Sequence, residues 1–117
     1  MADAHTNFAY SAVATAPSPA LSGTSLVVTA AQGALFPAVP FNATLWPAGV
    51  QPLSTNAEIV RVTARSTDTL TIVRAQESSS ARTVVVGDQI AASITRKTLV
   101  DVEDPASLFL LRNVCKR

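Results

Sequence analysis

Two consecutive segments, AEIVRVTAR (Ala57 to Arg65) and TLTIVR (Thr69 to Arg74), are separated by three polar residues, Ser66, Thr67 and Asp68. A period of two puts Glu58, Val60, Val62 and Ala64 on one face of the first segment, and Ile59, Arg61, Thr63 and Arg65 on the other. In the second segment Leu70 and Ile72 face away from Thr69, Thr71 and Val73. An amphipathic helix needs its apolar residues three and four apart, so the stretch is constrained to a β-hairpin.

The rest of the chain is punctuated in the same way. TSLVVTA (Thr24 to Ala30) is a strand rich in β-branched residues, ended by AQGALFP with its Gly33 and Pro37. ATLW (Ala43 to Trp46) is a short strand between Pro40 and Pro47. RTVVV and QIAASI flank Gly87-Asp88, which is either a two-residue turn with Gly first or the start of the last strand. The 117 residues make one domain with one modest core. The expected class is all-β: a small β-sandwich or barrel of about six short strands, spanning residues 24–103. Val60, Val62, Leu70, Ile72, Ile90 and Ile94 recur at strand spacing and are expected in its core.

Charge divides the chain. From Met1 to Ala57 the sole charged side chain is Asp3, whereas all nine Lys and Arg and the other seven acidic residues lie between Glu58 and Arg117. Hydrophobic residues make up 48% and charged ones 15%, which points to surface buried on a partner. A solvated tail is normally richer in charge and poorer in aromatics than the opening NFAYSAVATAPSPA. Residues 1–23 are therefore expected as an extended N-terminal docking arm, with Phe8, Tyr10, Val13 and Pro17 as contacts in another chain's groove and Pro17 and Pro19 holding the exit extended. Residues 104–117 offer Asp104 as N-cap, Pro105 at the first helical position and cations at the end, as a short helical tail. In it Leu108, Phe109 and Leu111 are expected to contact either a neighbour or the chain's own domain.

Motifs for chemistry are sparse. His5 sits in the arm, and His5 and Cys115 stand at opposite ends, which is no metal-ligand spacing. No nucleophile pairs with a base, and GALFP leads to no Lys-Ser/Thr pair of a phosphate loop. The expectation is no enzyme, no cofactor and no metal. Arg61, Arg65, Arg74 and Arg82 have Glu58 and Glu77 among them, which favours ion pairs between strands over a nucleic-acid surface. Asn42 in NAT is expected in a turn, the acidic residues Asp101, Glu103 and Asp104 in a solvated loop. No apolar run approaches the ~20 residues of a membrane span, no signal-peptide pattern opens the chain, and one cysteine fits a reducing compartment.

Taken in order, SGTSLVV, GALFP, PFNATLWP and AEIVRVTARSTDTLTIVRAQESSSARTVVVGDQI resemble a small β module that recurs in virion proteins of tailed bacteriophages. There a Thr/Val strand leads to a Gly-x-x-Phe-Pro bend and a Glu-Ile-Ile/Val strand, and a further strand ends in Arg-Gly before a Gly-Thr-x-Ala loop. The opening tract resembles the segment that attaches the module to the particle in longer fibre-like chains. The match covers roughly Asn7 to Glu103. It departs at Ala75, where the module has Gly, and at Ser78 to Ser80, where it has a Gly-Thr turn.

The resemblance implies a non-enzymatic virion structural protein, assembled in the bacterial host cytoplasm and docked through its arm. A capsid decoration or head-fibre-type protein is the first expectation, and a tail, neck or fibre-base adaptor the alternative. The implied partners are the major capsid protein or tail and neck proteins, with a homo-oligomer, for which a trimer is one form, and no nucleic acid or membrane.

Overall fold

The computed structural model describes residues 3–102. Six strands follow in order: β1 (Tyr10–Thr15), β2 (Ser25–Val28), β3 (Phe41–Trp46), β4 (Glu58–Ser66), β5 (Thr69–Gln76) and β6 (Gln89–Ala91). A 3-10 turn (Gly33–Leu35) separates β2 from β3, and a helix, α1 (Arg96–Val102), follows β6. The strands close into a barrel in the order β1-β2-β5-β4-β3-β6, and every neighbouring pair is antiparallel. Closure leaves no sheet edge open to another chain.

The alternation that marks the hairpin is what fills the barrel. Glu58, Val60 and Val62 of β4 and Leu70 and Ile72 of β5 all point inward and are buried. Val13, Leu26, Val28, Phe41, Ala43, Leu45 and Ile90 complete the staves, with Phe36 and Val84 supplied by loops. Ala64 falls off the expected face because β4 bulges: Val62 pairs with Ile72 but Ala64 with Thr71, so two steps on β4 answer one on β5. A bulge inverts the phase of everything beyond it. Ser66 belongs to β4, and the turn is made by Thr67, at φ 56, and Asp68.

Four expectations are corrected. The tract read as an arm supplies β1, which pairs with β2 through Val13↔Val28 and with β6 through Tyr10↔Ala91, so its residues 10–15 are a stave of the barrel. The β domain therefore begins well before residue 24. Ile94 is 74% exposed, because the run QIAASI is strand only as far as Ala91. Asn42 lies within β3 and not in a turn. The expected tail, 104–117, lies outside the described residues, while a helix already forms from Arg96, inside the span assigned to the β domain. Thr95 precedes it: its N–H donates to Thr98 Oγ1, while its own Oγ1 donates to Glu77 Oε2.

One end of the barrel is closed by the segment between β2 and β3. Asp68 at the hairpin turn accepts the N–H of Ala31 and of Gly33, while Arg65 Nη1 donates to the carbonyls of Phe36 and Pro37. Phe36 thereby stacks on Phe41, with centroids 5.8 Å apart, and seals the core. Gly33 is required by room, since a Cβ there would run into the Thr67 carbonyl oxygen. Gly33→Ala is expected to cost about 1–3 kcal/mol, as overpacking against backbone does. A thermal melt of the variant checks it.

Candidate docking surface

The charged residues of the strands all lie on β4 and β5. Glu58 is fully buried at the other end of the barrel, where Arg74 grips it through two 2.8 Å hydrogen bonds from Nε and Nη2. The backbone N–H groups of Ala75 and Arg82 donate to the same carboxylate. Arg74 also donates to the carbonyls of Ala20, Gly23 and Arg82, so one ion pair ties two loops to the sheet. Arg82 in turn pairs with buried Asp88 at 2.6 Å. Arg74–Glu58 is an ion pair between strands, as expected of the arginines, whereas Arg82 pairs within the segment between β5 and β6 and Arg65 binds backbone carbonyls.

A second polar cluster lies outside the wall, over β3 and β4. Arg61 bridges Asp3, near the chain start, and Asn42 Oδ1. Glu77 accepts from Asn42 Nδ2, Thr95 Oγ1 and the N–H of Lys97, and Lys97 Nζ lies 3.6 Å from Asp3. Both the N-terminal segment and α1 are thus fastened to one side of the barrel. An open groove of about 340 Å³ adjoins it, with Ile59, Leu53, Ser78 and Ser80 in its lining.

Burial alone would raise the Glu58, Glu77 and Asp3 carboxyls, but their hydrogen bonds and cations outweigh it and hold all three below the ordinary carboxylate range. The chief donors are Arg74 for Glu58, Thr95 and Asn42 for Glu77, and Arg61 for Asp3. A carboxyl depressed on folding contributes stability that is complete above its unfolded pKa and is lost as pH falls through the folded one. The melting temperature is therefore expected to be flat near neutrality and to fall as pH drops below the usual values of 3.8 for Asp and 4.5 for Glu. Glu77→Gln should flatten part of that acid limb, checked by melts across pH.

The remaining four strands, contiguous as β3-β6-β1-β2, contain no Asp, Glu, Lys, Arg or His at all. The charge-poor first half of the sequence thus folds into a neutral wall. Across β6 the rings of Tyr10 on β1 and Trp46 on β3 meet with centroids 6.4 Å apart. Tyr10 Oη donates to Gln89 Oε1, and Gln89 Nε2 donates to the Pro47 carbonyl.

Of the residues expected to bind a partner, Tyr10 is 48% and Phe8 89% exposed. Val13 and Pro17 are buried by their own barrel and present nothing to a neighbour. Leu108, Phe109 and Leu111 lie outside the described residues. Sequence reasoning missed Trp46, whose partner Tyr10 is 36 positions away and comes near only through the shared neighbour β6. His5 is exposed, and among the described residues no three His, Cys, Asp or Glu gather. No described helix is long and apolar enough to cross a membrane. No protein-family model matches the chain, and no curated protein does.

Proposed function

We propose that this chain is a non-enzymatic structural protein of a tailed-phage virion, of the capsid decoration or head-fibre type. The observation that supports the reading is the agreement between the motifs of the resemblance and the positions where this barrel demands them. The Gly-x-x-Phe-Pro bend is Gly33 to Pro37, which has no room for a Cβ and plugs the core with Phe36. The Glu of the Glu-Ile-Val strand and the Arg that ends the next strand are Glu58 and Arg74, one buried ion pair. Ala75 and Ser78, standing where the module has glycines, take left-handed φ of 51 and 64, the conformation glycine adopts freely. Ala75 lies where β5 bulges between Ile59↔Gln76 and Arg61↔Val73. A left-handed glycine is the usual occupant of such a bulge.

Under this reading the protein is assembled in the bacterial cytoplasm and carried on the particle, next to the major capsid protein. Quantitative mass spectrometry of purified particles tests it. Hundreds of copies per particle support decoration, a few to a dozen move the protein to the tail or neck, and absence from particles overturns the reading.

A further inference from the structure

We infer that Arg61 and Lys97 form a seat for a carboxylate, which Asp3 fills in cis, and that residues 3–8 are a strap that gives the seat up to an acidic side chain of a partner protein. The inference does not depend on any place in a virion. It starts from how unevenly the N-terminal segment is held. The Asp3 side chain is only 12% exposed, and Ala9, where the chain joins the barrel, is buried. Between them residues 4–8 are all exposed, Phe8 at 89%. Among the described residues the backbone of 4–8 makes no hydrogen bond, and the side chains make one, from Thr6 Oγ1 to the Leu35 carbonyl at 2.7 Å. Apolar burial therefore does little to hold this segment, and its far end is fastened by charge. The strap turns toward β1 at Phe8, whose φ of 59 is a left-handed conformation that a bulky residue adopts only at a cost. Opening the strap lets Phe8 leave it.

The seat is built without the strap. Arg61 sits on β4, and its Nη1 donates to Asn42 Oδ1 of β3 at 2.8 Å. Asn42, 8% exposed, is fixed in turn by donating from Nδ2 to Glu77 Oε2. Glu77 also accepts the N–H of Lys97 and the hydroxyl of Thr95, which anchors the start of α1. None of these bonds uses Asp3, so the guanidinium stays aimed when Asp3 leaves. Held in this way, Arg61 offers Nη1 and Nη2 to the two Asp3 oxygens at 3.1 Å each, with Lys97 Nζ at 3.6 Å. This is the paired geometry in which a guanidinium takes a carboxylate.

Charge selects the ligand. With Asp3 seated, Arg61, Lys97, Asp3 and Glu77 carry two positive and two negative charges, which cancel. Without Asp3 one positive charge is left over, and the Glu77 carboxylate is already taken up by its three donors. The opened seat therefore calls for one anion with two oxygens in a plane, which is what Asp3 brings to it. A carboxylate in solution must displace a tethered one. The strap thus withholds the seat from small anions and yields it to a partner that brings further contacts.

Nuclear magnetic resonance of the full chain tests this, with N-acetyl-aspartic acid amide as the probe and the matching asparagine amide as the neutral control. In Asp3→Asn the signals of residues 4–8 are expected to move toward random-coil positions, while those of Tyr10–Thr15 stay in place. The probe should shift the signals of the Arg61 side chain and the Lys97 amide in both chains. It should bind Asp3→Asn about tenfold more tightly than the wild type, as expected where the strap is closed about ten times as often as open. In the wild type, saturating probe should move residues 4–8 in the same direction as the substitution does. Asp3→Asn combined with Arg61→Gln should not respond, and the asparagine amide should shift neither chain. Equal affinity of the probe for wild type and Asp3→Asn overturns the inference, as does a response that survives Arg61→Gln or is matched by the asparagine amide. Signals of residues 4–8 that stay unchanged in Asp3→Asn overturn it equally. So does unfolding of that variant, which would make Asp3 a member of the fold and not a releasable clasp.

Discussion

Glu58→Ala is expected to abolish cooperative folding. The substitution leaves the Arg74 guanidinium, only 9% exposed, without its counter-charge, and strips acceptors from the N–H groups of Ala75 and Arg82. Breaking one side of a buried ion pair costs about 3–5 kcal/mol, a large share of the ~5–15 kcal/mol that holds a domain of this size together. Removing both partners is not expected to rescue it. In some proteins a buried pair can be exchanged for apolar side chains at little cost. Here Glu58 and Arg74 together satisfy five backbone groups, the carbonyls of Ala20, Gly23 and Arg82 and the two N–H groups, and all but the Ala20 carbonyl, which keeps the Val84 N–H, would be orphaned. A Glu58→Leu, Arg74→Met chain should therefore melt no better than Glu58→Ala, as measured by circular dichroism.

Val62→Asp is expected to be equally destructive for the opposite reason. Val62 lies on the same inward face of β4 as Glu58, four residues along, and is fully buried among apolar side chains. A carboxylate at Glu58 meets two guanidinium nitrogens and two amides, but at position 62 the neighbours are core residues such as Phe41 and Ile72, its partners on the flanking strands. An unpaired ionised group in such a place costs several kcal/mol or protonates. A soluble Val62→Asp protein with a normal melt would contradict the assignment of the core.

How far the sequence disclosed this fold depends on the range of the interactions. The β4-β5 hairpin was legible because alternation and turn chemistry are local, and the inward placement of Val60, Val62, Leu70 and Ile72 follows directly. The fate of Tyr10–Thr15 was not legible. A strand that lacks a sequence-adjacent partner on one side, and pairs there with β6 some eighty residues later, leaves no local mark that separates it from a docked arm. Both are extended, uncharged and rich in small apolar residues. Ile94 misled for a related reason, since a three-residue strand is too short for its alternation to show where it stops. The buried role of Glu58 was half visible: the pattern placed it inward, but its partner Arg74 had to be brought alongside by the bulged register of β5. The neutral wall was hidden in plain composition. The charge-poor first half of the chain pointed to a buried surface, but only barrel closure, with β6 inserted between β1 and β3, gathers Tyr10 and Trp46 onto one side.

The central claim is that residues 10–15 are a stave of a closed barrel and not a detachable arm. Deleting residues 2–15 tests it most directly, with the thermal transition of the shortened chain followed by circular dichroism. Loss of β1 removes Val13 from the core and strips β2 and β6 of a neighbour, opening the barrel along its length. The shortened chain is expected to show no cooperative transition. A transition as sharp as that of the full chain, at a similar temperature, would mean that the barrel closes without β1, and would contradict the account.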